Sequence, residues 1–210
     1  MKAFMGDDFL LDNESAVKLY REHAEGMPII DYHCHLSPKE IYENKTFATI
    51  TEAWLYGDHY KWRIMRANGV EERCFTGNAS DEEKFTAWAK TVPMAIGNPL
   101  YSWTHLELQR FFGIHDVLNE KTAPSIWKKT NDLLQEEGFG VRDLILKSNV
   151  KVICTTDDPV DSLEYHSLIK ESDFPVKVLP GFRPGSRSAG RVLPSGFRRL
   201  RSCGDLHHFL

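Results

Sequence analysis

Two histidines separated by a single residue, His33 and His35, follow a short apolar run in the first part of the chain. Residues i and i+2 of a strand point to the same face, so two imidazoles at this spacing can bind one divalent metal. They stand where the apolar run turns polar, which in a parallel barrel is the catalytic face. The alternative is that both rings are only solvated or hydrogen-bonded. We expect Asp31 to order the strand end or support the histidines rather than to bind metal itself.

A second group of polar and aromatic residues occupies positions 58–63, with the sequence DHYKWR. The hydroxyl of Tyr60 can shuttle a proton or donate to a developing oxyanion when positive charge lies nearby. His59 and Arg63 are able to supply that charge. The alternative is an ordinary helix in which Tyr60 and Trp62 pack inward and the charged residues are solvated.

Polar residues also follow two later apolar runs. Thr155, Asp157 and Asp158 come at the end of VKVICTTDD, where they can be catalytic or can cap the next helix. We expect Asp157 or Asp158 to be such a cap. Arg183 follows VKVLPGF, and its guanidinium suits fork-like recognition of a carboxylate, unless it is an ordinary surface arginine.

The elements that must position these residues are three strands and a long helical stretch. Apolar runs predict strands at 28–33, 149–154 and 176–182, and SLEYHSLIKES predicts a helix between the last two. A strand–helix–strand order with short turns indicates a parallel sheet. Residues 37–148 carry helical periodicity instead, with a helix capped by Ser102 or Thr104 that contains His105 as a structural hydrogen-bonding residue.

We therefore divide the chain into an N-terminal helix and first strand (1–36), a helical insertion (37–148), two further strands (149–184) and a tail (185–210). The tail from Gly185 is rich in arginine, glycine and serine and lacks apolar periodicity. The rest of the chain is acidic, which argues against nucleic-acid binding. The absence of a leader-like segment, a membrane-length apolar run and closely spaced cysteines predicts a cytosolic protein with reduced thiols.

Five motifs occur in order: DYHCHLSP, DHYKWRIMRANGV, YSWTHLELQRFFGI, CTTDDPVDSLEYH and VLPGFRP. Together they resemble the uronate isomerases of the amidohydrolase superfamily, across residues 1–184. The resemblance implies an α/β fold that forms part of a TIM-like (β/α)8 barrel, with a large helical insertion after the first strand. It also implies an aldose–ketose isomerase of hexuronate catabolism, acting on D-glucuronate and D-galacturonate.

The resemblance assigns roles to individual residues. His33 and His35 are similar to metal-binding histidines, with zinc as the first expectation for the metal. Tyr60 is similar to a catalytic tyrosine placed over the substrate, and His59 and Arg183 to residues that bind the sugar acid. A hexuronate is the implied small-molecule partner, and a homo-oligomer is the implied state of full-length members.

The departures from the family are equally specific. A (β/α)8 barrel needs eight strands and about 250 residues, whereas this sequence has 210 residues and three predicted strands. The remaining metal ligand and acid–base residues are expected in the part that is missing, so we expect this polypeptide to be inactive. A reading-frame shift would explain the tail after Pro184. The other functions that remain open are a metal-dependent hydrolase of the same superfamily and a non-catalytic fragment that binds partners through exposed sheet edges.

Overall fold

A computed structural model describes residues 4–158 and 160–182. Within these residues the chain divides into two compact units. The helical unit comprises residues 4–27 together with Thr46–Gly140. The sheet unit comprises Pro28–Lys45 and the described residues from Val141 onward.

The elements follow the chain in a mixed α and β order. They are α1 (Glu14–Leu19), β1 (Ile29–Asp31), α2 (Pro38–Glu43), α3 (Ile50–Leu55), α4 (His59–Ala67), α5 (Asp81–Thr91), α6 (Pro99–Phe112), α7 (Ala123–Leu134), α8 (Val141–Lys147), β2 (Val150–Asp157), α9 (Glu164–Glu171) and β3 (Lys177–Phe182). A π-helical turn at Tyr20–Ala24 and 3-10 turns at Glu72–Cys74 and Val92–Ala95 complete them. In the described ranges no helix is long and apolar enough to cross a membrane.

The sheet unit is built on three parallel strands in the order β1-β2-β3. All three strands lie where the apolar runs predict them, although β1 is shorter than expected and β2 continues to Asp157. Helix α9 packs on β3, α8 packs on β2, and α2 packs on both helices. The strand–helix–strand prediction for β2, α9 and β3 is therefore confirmed.

The helical unit has a core built around a cluster of aromatic residues. Phe85 and Trp88 on α5 are almost completely buried, and Phe85 stacks on Trp54 of α3 with ring centroids 6.2 Å apart. Trp127 of α7 contacts the same phenylalanine ring at 5.3 Å. Such clustered aromatic rings bury a large apolar area, which is the main stabilising contribution to a helical core.

Helix boundaries in this unit depend on local caps. A capping box joins Ser80 and Glu83 at the start of α5. The predicted cap of α6 by Ser102 or Thr104 is wrong, because both residues lie inside the helix and Asn98 accepts from the backbone N–H of Leu100 instead. Pro99 explains the earlier start, since proline suits the first turn of a helix, where its missing N–H is not needed.

His105 on α6 is the structural residue that the sequence predicts. Its Nδ1 lies 2.7 Å from the carbonyl oxygen of Tyr101, and its Nε2 accepts from the N–H of Leu118 at 3.0 Å. Nδ1 therefore carries the proton in a neutral ring. Burial lowers the pKa of His105, which favours this neutral form.

Candidate functional site

The end of β1 brings His33 and His35 together. Their ring centroids are 5.1 Å apart and the ring planes are nearly perpendicular, at 86°. Both residues lie just beyond the last strand residue, Asp31, where His33 is half-buried and His35 is exposed. Asp31 accepts a hydrogen bond from the backbone N–H of His33 at 3.2 Å, which confirms that it orders the strand end.

Cys34, between the two histidines, is held against β2. Its N–H donates to the carbonyl oxygen of Cys154 at 2.9 Å, and its own carbonyl oxygen accepts from the hydroxyl of Thr156 at 2.8 Å. Burial raises the pKa of Cys34 to about 12, which favours the protonated thiol. The cysteine thus points inward and leaves the flanking histidines nearer the surface.

A buried hydrogen-bond network closes the ends of β2 and β3. The hydroxyl of Thr155 lies 2.8 Å from Oδ2 of Asp157 and 2.8 Å from Nε2 of His166 on α9. Asp157 also accepts from the N–H of Gly181 at 3.1 Å. If the threonine proton goes to the carboxylate, Nε2 of His166 must carry a hydrogen and donate to the threonine.

This network corrects the expectation that Asp157 or Asp158 caps a helix. Helix α9 begins after Leu163, which has no side-chain cap, and Asp157 is buried at the strand end. Sequence reasoning missed His166, although the i, i+2 spacing of Thr155 and Asp157 could have indicated a shared face. A Cβ on Gly181 would lie 2.3 Å from the carbonyl oxygen of Thr155, so glycine is required where β3 approaches β2.

The first turn of α4 presents His59 and Tyr60 side by side. Their rings stack with centroids 4.7 Å apart and an angle of 27°. The guanidinium carbon of Arg63 lies 5.5 Å from the centroid of the Tyr60 ring. A positive group therefore lies over the ring of the tyrosine.

Asp58 caps this helix and is paired with Lys61. Its Oδ1 accepts from the backbone N–H groups of Tyr60 and Lys61 at 2.9 and 3.0 Å, and its Oδ2 accepts from the ammonium of Lys61 at 2.6 Å. The side chains of Asp58 and Lys61 are only 11% and 6% exposed. The alternative interpretation, in which the charged residues of this segment are all solvated, is therefore wrong for these two.

A third ionisable group, Glu107 of α6, is buried beside this pair. It interacts electrostatically with Lys61 and Asp58 and hydrogen-bonds to the Trp54 side chain. Burial raises the pKa of Glu107 to about 7, an effect that Asp58 adds to and that Lys61 and Trp54 partly offset.

The raised pKa of Glu107 predicts a pH-dependent stability. The folded chain binds this proton more tightly than the unfolded chain, so the free energy of unfolding should fall as pH rises from about 4.5 to about 7. The shift corresponds to at most about 3 kcal/mol. Urea unfolding followed by tryptophan fluorescence at these two pH values should show this loss in the original chain. In Glu107→Gln the drop in the free energy of unfolding between the two pH values should be smaller by roughly 1–3 kcal/mol.

Glu137→Gln is the matched control, because Glu137 is an exposed glutamate of the same unit. This control should keep the pH dependence of the original chain. An equal pH dependence in Glu107→Gln would contradict the assignment.

The predicted site residues belong to different parts of the chain. His33 and His35 belong to the sheet unit, and His59 and Tyr60 belong to the helical unit. Arg183 lies outside the described residues. Between residues 4 and 182, leaving out 159, no group of three or more histidine, cysteine, aspartate or glutamate side chains is arranged to hold a metal ion.

Comparison with known sequences identifies similar proteins. The family model described as glucuronate isomerase matches residues 1–192. A uronate isomerase of Bacillus velezensis is 88% identical over 184 residues, which cover 88% of this chain and 40% of the relative. A uronate isomerase of Bacillus subtilis is 78% identical over 185 residues, which cover 39% of its length. The chain therefore spans about two-fifths of the length of the curated relatives that it matches.

Comparison with solved structures gives the same picture. The crystal structure of a uronate isomerase from Thermotoga maritima matches with a TM-score of 0.83 and 44% identity, over 87% of this chain and 40% of that one. The crystal structure of a glucuronate isomerase from Caulobacter crescentus matches with a TM-score of 0.75 and 24% identity, over 82% and 38% of the two chains. At that identity the second match bears on the fold alone.

Proposed function

Because this chain belongs to the glucuronate isomerase family, we propose that it is the N-terminal part of a uronate isomerase. The reaction is the aldose–ketose isomerisation of D-glucuronate to D-fructuronate and of D-galacturonate to D-tagaturonate. The observation that carries the proposal is the match of the family model to residues 1–192, supported by the 88% identical uronate isomerase. The substrate class is therefore a hexuronate.

The three parallel strands are proposed to be the first strands of a (β/α)8 barrel. Parallel strands with helices between them are the repeating unit of that fold, and its active sites lie at the carboxyl ends of the strands. His33 follows β1 and Asp157 ends β2, so polar groups stand at that edge of this sheet. Within the described residues β1 and β3 each pair with β2 alone, so further strands would add at their outer sides.

His33 and His35 are proposed to hold a divalent metal, with zinc as the first candidate. Two imidazoles with centroids 5.1 Å apart supply two nitrogen ligands of the kind that zinc prefers. Zinc takes three or four protein ligands, and the described residues contain no group of three. The two histidines are therefore proposed as only part of the ligand set. When bound, the metal would polarise a substrate oxygen as a Lewis acid.

The other proposed residues move a proton and hold the sugar acid. Isomerisation shifts a hydrogen between C1 and C2 and a proton between their oxygens. The Tyr60 hydroxyl is proposed to carry the proton between the oxygens, with the Arg63 guanidinium 5.5 Å from its ring. Arg183 is proposed to bind the C6 carboxylate, with His59 as a second substrate contact, and this binding fixes which end of the sugar reacts.

Zinc binding by the isolated chain tests the metal proposal. Zinc should shift the imidazole NMR signals of His33 and His35 together, although two ligands alone give weak binding. His33→Ala and His35→Ala should each weaken it about tenfold or more. The background for this titration is a chain with His207→Ala and His208→Ala, because those adjacent tail histidines can also bind zinc. Shifts at only one of the two rings would refute a shared site, and His23→Ala is the control at an exposed position.

Substitution of Arg183 in a full-length version tests the carboxylate role. A charge-assisted hydrogen bond contributes about 1.5–3 kcal/mol, so Arg183→Ala should raise KM for glucuronate about 10- to 100-fold. The KM of Arg183→Lys should lie between those of the unaltered enzyme and of Arg183→Ala, because lysine keeps the charge but loses the planar fork. An unchanged KM in Arg183→Ala would remove this residue from the substrate site.

We propose that the protein is cytosolic. The three cysteines in the described ranges are free thiols, of which only Cys34 is fully buried, and unpaired thiols suit the cytosol. A homo-oligomer is proposed for the full-length enzyme, to be tested by light scattering.

A further inference from the structure

We infer that Lys61, acting with Asp58 and Glu107, is a positioning residue that fixes the first turn of α4 and thereby holds His59 and Tyr60 in place. The inference rests on the function proposed above for His59 and Tyr60. Its structural content, a buried charged cluster that holds one helical turn, stands independently of that function.

Asp58 connects the cluster to the backbone of the turn. One of its carboxylate oxygens accepts from the backbone N–H groups of both Tyr60 and Lys61, at 2.9 and 3.0 Å. These are two of the four N–H groups that a helix start leaves without a partner inside the helix. The orientation of this carboxylate therefore determines where the turn that carries Tyr60 begins.

Lys61 in turn fixes the orientation of Asp58. Its ammonium donates to the other carboxylate oxygen at 2.6 Å and lies 5.9 Å from the ring centroid of Trp54 and 6.0 Å from that of Trp88. The Lys61 side chain is 6% exposed. The ammonium lies near rings on α3 and α5, so cation–π attraction links the first turn of α4 to these two helices.

Glu107 adds a further buried carboxyl group from α6. One of its carboxylate oxygens, Oε2, has no hydrogen-bond partner among the described residues, and the same is true of Nε1 of Trp88 and Oγ1 of Thr104. A buried acid in this condition costs stability, and apolar replacements of buried ionic groups often stabilise a protein. This cluster costs stability, so stabilisation of the core does not explain it. Because it adjoins the turn that carries His59 and Tyr60, we attribute it to the placement of that turn.

Amide hydrogen exchange of the 210-residue chain, measured by NMR, tests the inference directly. Lys61→Met removes the ammonium but keeps a side chain of similar length. Exchange of the backbone amides at positions 60 and 61 should therefore accelerate about tenfold or more relative to α7. Lys61→Met leaves two buried carboxyl groups facing each other and can unfold the unit. The double variant Lys61→Met/Glu107→Gln removes that conflict and should recover most of the thermal midpoint.

The double variant separates positioning from simple packing. Positioning predicts that it regains thermal stability while exchange at these two amides stays fast. A merely structural role predicts that stability and amide protection return together, and that result would overturn the inference. Lys90→Met is the matched control, because Lys90 is an exposed lysine of α5 in the same unit, and it should leave both amides unchanged.

Two further measurements keep the test decisive. In the unaltered chain, the Nζ hydrogens of Lys61 should give a slowly exchanging NMR signal, and its absence at neutral pH would also overturn the inference. In a full-length version, Lys61→Met/Glu107→Gln should lower kcat about tenfold or more through Tyr60 and should also raise KM, because His59 is a proposed substrate contact. If Tyr60→Phe leaves kcat unchanged, the catalytic role of Tyr60 fails, whereas the exchange results still decide whether Lys61 positions the turn.

Discussion

The 210-residue chain, purified alone and supplied with zinc or manganese, is expected to convert no measurable glucuronate to fructuronate. Its described residues offer two imidazoles at the proposed metal site and no group of three ligands. They also form only three parallel strands, whereas the proposed (β/α)8 barrel needs eight, and apolar side chains such as Ile30 and Leu179 are exposed. A coupled assay for fructuronate measures this directly.

A completed chain is the control for this result. Joining residues 1–184 to the remaining three-fifths of the Bacillus velezensis relative should give turnover in the usual enzymatic range of about 1–1000 per second. Turnover in that range by the 210-residue chain alone would mean that the functional core is far smaller than the length of the relatives implies.

In the same completed chain, Tyr60→Phe is expected to lower kcat about 100-fold or more and to change KM only a few-fold. General acid–base catalysis by one positioned group contributes about 10²–10⁴ in rate, and a proton shuttle acts in the transition state rather than in substrate binding. Phenylalanine keeps the ring that stacks on His59, so the local packing should survive. Steady-state kinetics on glucuronate separates the two parameters.

Tyr56→Phe is the matched control for loss of a hydroxyl. Tyr56 is exposed in the same unit, and its hydroxyl donates to Asp81 at 2.8 Å. This variant should lose a little stability and keep its kcat. A Tyr60→Phe enzyme with unchanged kcat would remove Tyr60 from catalysis and leave it a packing role.

Local periodicity is enough to place the three strands, the helix between β2 and β3, and the helical character of residues 37–148. The apolar runs around Ile30, Ile153 and Val178 and the turns that bound them predict the three strands within a few residues. The proximity of the imidazoles of His33 and His35 also agrees with their i, i+2 spacing. These features depend on neighbours in the chain, and for that reason a single sequence reveals them.

Features that depend on distant residues were beyond that reasoning. Lys61 looks like a solvated lysine until Glu107 and Trp88, far along the chain, are found beside it. His166 looks like a surface residue of α9 until Thr155 is found 2.8 Å from its ring. Lysine is rarely buried without a partner, so the sequence alone favoured exposure and only the packing reveals the pair.

The register of β1 has a consequence for the order in which the chain folds. Ile29 pairs with Val150, so this contact closes a loop of roughly 120 residues, whereas Val152 pairs with Lys177 only about 25 residues later. During synthesis, residues 46–140 leave the ribosome before the partner of β1 exists, and local helical contacts form fastest. We therefore expect β1 to remain unpaired while the helices form and pack, and to pair with β2 as a late step of co-translational folding.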